Sequence, residues 1–148
     1  MRHRRTRIAS LHQVSTEPTI DRPSTGLALK SLAADVVCVV VFCAIGRRSH
    51  AEGLTVSGIA ETAWPFLSGT AAGWLLVRAW RRPTSLIPTG LVVWAATVVV
   101  AMLLRKATGQ GTAMSFIVVA SLTTAVLLLG WRAVVQVARR RAAHRSGI

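Results

Sequence analysis

Long apolar runs occupy residues 29–46, 56–80, 85–104 and 112–132 of the chain, separated by short breaks that carry Arg, Gly or Pro. Each run is about as long as a helix needs to cross a hydrocarbon core of about 30 Å. The first, "VVCVVVFCAI", is rich in β-branched residues, and Gly46 ends it. A lone spanning strand would leave its backbone unpaired in lipid, so a helix is expected here too. Short connections make consecutive helices antiparallel neighbours. The expected fold is an all-α membrane protein, with four transmembrane helices in an up-down antiparallel bundle over residues 29–132.

Polar tails flank this region. Residues 1–28 are punctuated by Pro18, Pro23 and Gly26, and a disordered basic tail is expected there. Its basic start is not followed by an apolar segment, so no cleaved signal peptide is expected. Residues 133–148 form a second basic tail, ending "ARRRAAHRSGI", which can prolong the last helix along a membrane surface.

The second run has its own signature. Glu61, Pro65, Gly69 and Gly73 recur at intervals of four and fall along one helix face. Gly69 and Gly73 form a GxxxG pair, and Ser68 with Ala72 adds another small pair. Such spacing lets helices approach closely, either within one chain or between two copies. Pro65 should bend the helix. Pro83 and Pro88 suit the next turn and the start of the third helix.

Composition fits the pattern: 52% of residues are hydrophobic and the mean hydropathy is +0.50. Charge then sets an orientation. The net charge is +13, and the acids are Glu17, Asp21, Asp35, Glu52 and Glu61. With both termini on one side, that side holds 14 basic residues and the other holds four: Arg47, Arg48, Arg105 and Lys106. The positive-inside rule therefore puts both termini in the cytoplasm. Basic residues flanking apolar runs point to an anionic membrane surface rather than to nucleic acid, which is not expected as a partner. Tyr and Asn are absent and nearly all cations are Arg, a composition of GC-rich coding that suggests a bacterial plasma membrane protein. Cys38 and Cys43 lie five residues apart in the first run, on different helix faces, and read as two core thiols.

Asp35 is the intramembrane acid, with Arg78 and Arg132 as its candidate partners. Either it forms a salt bridge that locks helix packing, or with Glu61 it marks a proton or cation path. Glu61 has a plain reading as well, since a carboxylate in a first helical turn is favoured by the macrodipole. On the outer face, Arg47, Arg48, Ser49, His50, Glu61 and Arg105 make up a candidate polar cluster. It either merely tolerates its cations or holds them to meet something anionic. Ser49 beside His50 is not a catalytic pair, because no orienting acid is identifiable. The sequence carries no phosphate loop, dinucleotide fingerprint or metal-ligand spacing, so neither a cofactor nor a metal is expected.

An Asp in the first helix, then "IGRRSHAEG", "TAWPFLSG" and "GW", resembles an uncharacterised family of small four-helix prokaryotic membrane proteins, domain-of-unknown-function family 3054. The resemblance covers residues 32–131. It implies that Asp35, Gly46, Arg47, Ser49, His50, Trp64, Pro65, Phe66 and Leu67 are signature positions, and it implies no activity. The expected function is that of a non-enzymatic accessory or interaction subunit in the lipid bilayer, alone, as a homo-oligomer or beside another membrane protein. A small oligomeric transporter or channel, and a binder of anionic lipid headgroups or polymer at the outer face, are the alternatives.

Overall fold

The computed structural model describes residues 25–49 and 53–147. Helix α1 spans Thr25–Ser49, α2 Val56–Leu76, α3 Leu91–Ala107 and α4 Met114–Ser146. Among the described residues there is no strand. Most of the N-terminal tail, and His50, lie outside the described residues.

Among the described residues, three stretches are long and apolar enough to cross a membrane: α1, the segment Leu86–Ala107 that contains α3, and Met114–Arg145 within α4. The expected second span, α2, has the length but carries Ser57, Glu61, Thr62, Ser68 and Thr70, and falls short of that apolarity. Val37, Val99, Leu103, Leu122 and Val126 are all more than half exposed, giving the molecule the apolar exterior that lipid favours.

The helix ends differ from the sequence expectation for identifiable reasons. Helix α1 starts at Thr25 and runs through Gly46 to Ser49, which puts Arg47 and Arg48 in its last turn, where cations complement the helix dipole. Helix α2 stops at Leu76, not at residue 80. Arg78 takes a left-handed conformation (φ 48°), and a 3-10 turn at Ala79–Arg81 follows. Trp80 therefore belongs to the connection. Extended backbone at Ile87 delays α3 until Leu91, with Leu86–Gly90 forming a wide turn before it. Helix α4 does not end near residue 132. Its continuation is rich in the strong helix formers Ala and Arg and stays in the same helix to Ser146. At 1.5 Å per residue this helix is about 50 Å long, well beyond a hydrocarbon core.

Helix α2 packs on α3 through backbone rather than bulk. A Cβ at Gly69 would lie 2.7 Å from the Thr97 Cα, and one at Gly73 2.7 Å from the Val93 Cα. Beside this contact, the buried hydroxyls of Thr70 and Thr97 lie 2.9 Å apart. One donates to the other, which donates in turn to its own helix at Phe66 O or Val93 O. Pro65, Gly69 and Gly73 are buried, so this stretch of the small-residue face is taken up inside the chain. Glu61 is exposed and does not belong to it.

Contacts between helices show their relative directions. Asp35, in the first half of α1, bonds to Trp74, near the end of α2, and to Arg132, just past the middle of α4. Phe42, late in α1, meets Phe66 edge-on at 5.0 Å, and Phe66 meets Phe116, early in α4, at 6.5 Å. Gly69 and Gly73 meet Thr97 and Val93 in reversed order. Consecutive helices thus run in opposite senses, and the polar groups gather at two ends.

Adding a methyl group against backbone forces the two helices apart. Gly69→Ala and Gly73→Ala are each expected to destabilise the protein by about 1–3 kcal/mol. Gly130→Ala, where nothing lies within 4 Å, should leave stability unchanged or raise it by up to about 1 kcal/mol. Thermal unfolding in mild detergent distinguishes the two cases.

Candidate functional site

At one end, Asp35 and Arg132 have side chains with 0% exposure. The pair is bidentate: Arg132 Nη1 donates to Oδ1 and Nη2 to Oδ2, both at 2.7 Å. Trp74 Nε1 donates to Oδ2 at 2.8 Å and Trp131 Nε1 to Oδ1 at 3.0 Å. The carboxylate thus receives four donors from α2 and α4. Arg132 also donates from Nε to Pro83 O at 3.2 Å and from Nη1 to Leu128 O at 2.9 Å. Its guanidinium lies 4.5 Å from the centre of the Trp131 ring. Gly90 leaves room for this side chain, since a Cβ there would come within 2.9 Å of Arg132 Cδ.

Arg78, the other candidate partner of Asp35, is exposed beyond the end of α2. Helix periodicity alone could not decide between the two arginines, because the choice depends on where α2 stops. Trp74 and Trp131 were missed as ligands of the carboxylate. Their signal was chemical: an indole N–H among apolar residues requires an acceptor.

The opposite end holds an open cleft of about 480 Å³. Of the expected outer cluster, Arg47, Ser49, Glu61 and Arg105 line it, joined by Thr62 and Gln110. Arg48 is exposed and is not part of the lining. The apolar part of the wall comes from Phe42, Cys43, Phe116 and Val119.

Each cleft arginine also secures a loop. Arg47 donates from Nε to Gly53 O and from Nη1 to Thr62 Oγ1, both at 3.2 Å, tying the α1–α2 connection to α2. Arg105 donates from Nη1 to Gln110 Oε1 at 2.9 Å and from Nη2 to Gly111 O at 3.0 Å, and stacks over Phe116 at 4.4 Å. The Ser49 hydroxyl donates to Gly46 O at 2.7 Å, within its own helix turn. Glu61 forms no ion pair among the described residues. The described His, Cys, Asp and Glu residues include no group that could hold a metal ion. Both cysteines are free thiols.

A family model described as "Protein of unknown function (DUF3054)" matches residues 32–135. The chain belongs to this family. The DUF3054 region covers both the buried pair and the cleft, and leaves residues 1–31 and 136–148 outside. No curated protein and no solved structure matches the chain.

Removing one member of a buried ion pair strands the other. Arg132→Gln is expected to cost about 3–5 kcal/mol of stability, whereas Asp35→Leu combined with Arg132→Met should recover most of that loss, because apolar replacement of a whole pair is tolerated. Detergent melting curves of the single and double variants test this. A double variant less stable than Arg132→Gln alone contradicts it.

Proposed function

We propose that this protein is an integral membrane protein of the bacterial plasma membrane, with four spans and both termini in the cytoplasm, acting as a non-enzymatic accessory or interaction subunit. The observation that carries this reading is the closure of the Asp35 site. A carboxylate that relays protons or ions needs a water path and freedom to change its charge. Asp35 instead has 0% exposure and four donors. What remains available for interaction is the lipid-facing surface, the cleft and the basic end of α4.

The four-span reading is supported by the backbone contact of α2 with α3, which gives both helices the same depth. Orientation is supported by the excess of basic residues in the two tails and the α2–α3 connection over those beside the cleft.

Reporter fusions test the topology. A fusion after Ser146 should be active only as a cytoplasmic reporter, and one at Ser49 only as an external reporter. A cytoplasmic Ser49 overturns the orientation. Purified protein in liposomes should carry no proton or ion flux. A flux abolished by Asp35→Asn and Glu61→Gln would replace this reading with that of a transporter.

A further inference from the structure

We propose that the arginines of the α2–α3 connection and of the α4 extension form one patch that binds the headgroups of anionic phospholipids. This deepens the membrane reading and rests on it. Two stretches far apart in the sequence meet at this patch. Arg139 donates from Nη1 to Thr84 Oγ1 at 3.3 Å, and Gln136 from Nε2 to Thr84 O at 3.4 Å. One residue earlier, Pro83 O accepts from Arg132 Nε. These bonds bring the connection that carries Arg78, Arg81 and Arg82 to the part of α4 that carries Arg139, Arg140 and Arg141. All six arginines are exposed.

The charge of the patch does not depend on where the tails lie. The side-chain carboxylates among the described residues are Asp35, bound to Arg132, and Glu61, which lines the cleft at the opposite end. The other acids of the sequence are Glu17, Asp21 and Glu52. Even if all three reached the patch and a terminal carboxylate joined them, six guanidinium groups would keep a surplus. Glu17 and Asp21 also share their segment with Arg2, Arg4, Arg5, Arg7 and Arg22, so that segment adds positive charge wherever it lies.

Depth selects the kind of anion. Helix α1 has 25 residues and is about 37 Å long, enough to cross a hydrocarbon core of about 30 Å and enter the headgroup layers. It starts at Thr25, ten residues before Asp35, and Ala142 lies ten residues after Arg132. The two helices run in opposite senses through this ion pair. The start of α1 and residues 139–142 of α4 therefore share a level, about 10–15 Å beyond the pair. That level is the headgroup layer, where lipid phosphates lie.

Apolar surface adjoins the arginines. Val134, Val137 and Arg141 follow one face of α4 at i, i+3 and i+7, and Val134 is 68% exposed and Val137 47%. Trp80, next to Arg81, is 44% exposed, and an indole with an apolar body and one N–H suits the membrane–water interface. A soluble acidic polypeptide would match the charge and leave this apolar surface in water. An anionic phospholipid supplies phosphate and hydrocarbon together.

Full-length protein in symmetric vesicles of equimolar phosphatidylcholine and phosphatidylglycerol, followed by native mass spectrometry of retained lipid, provides the test. Symmetric vesicles make the readout independent of orientation. Phosphatidylglycerol should be retained about five- to twentyfold over phosphatidylcholine. The combination of Arg78→Gln, Arg81→Gln, Arg82→Gln, Arg140→Gln and Arg141→Gln should reduce that preference to about twofold or less. Arg139 is kept because its bond to Thr84 holds the two stretches together. Arg140→Gln with Arg141→Gln alone should lower the preference about threefold or more and leave the melting temperature in phosphatidylcholine unchanged, since both side chains are exposed. Arg140→Lys with Arg141→Lys should preserve it. Equal retention of the two lipids, a preference that survives the Gln variants, or its loss in the charge-conserving Lys variant overturns the proposal. Displacement of the lipid by polyglutamate at about 0.15 M salt overturns the lipid in favour of an acidic polypeptide. Protein that fails to float with vesicles overturns the membrane reading itself, whereas insertion without preference overturns only the patch.

Discussion

A charged pair removed from water must be matched almost atom for atom, or it costs more than it contributes. The Asp35–Arg132 contact meets that demand, and much of the surrounding architecture follows from it. Trp74 and Trp131 complete the shell of the carboxylate, so α2 and α4 must present their indoles at the same depth. Pro83 lends its carbonyl to Arg132 Nε, which holds the α2–α3 connection against α4. Two further contacts from α4 reach the same connection: Gln136 Nε2 to Thr84 O at 3.4 Å, and Arg139 Nη1 to Thr84 Oγ1 at 3.3 Å. Gly90 is where it is because a larger residue would collide with the Arg132 stem.

Arginine serves opposite purposes at the two ends. Arg132 is sealed in and its charge is matched by one carboxylate. Arg47 and Arg105 stand at an open wall, where they brace loops and leave a polar surface facing outward. Between the two ends lie the aromatic contacts of Phe42, Phe66 and Phe116 and the backbone contact of α2 with α3. Such a core is closely packed and stiff. The charged pair is sealed at one end, and the cleft stands open at the other.

The apolar runs announced the helices because their length and spacing leave few other solutions in lipid. Asp35 stood out for the same reason, as an acid in a place that demands a partner. The spacing of Gly69 and Gly73 marked a packing face, though nothing in it named α3 as the opposing helix. Helix ends were harder to read. Arg78, Ile87 and the Ala- and Arg-rich continuation of α4 are decided by local backbone geometry and by docking onto other helices, and neither leaves a periodic trace. The cleft was legible only as a list of polar residues on one side. That Arg48 is left out while Thr62 and Gln110 join it depends on side-chain direction.

The partner of Asp35 lies 97 residues further along the chain. During synthesis, the first helix is complete long before Arg132 has been made. A nascent chain that ends between α2 and α4 carries a carboxylate with Trp74 as its one donor from this network, and lacks both the guanidinium and the second indole. Assembly is therefore closed by its last apolar segment. A chain truncated before Arg132 leaves the Asp35 carboxylate without its countercharge.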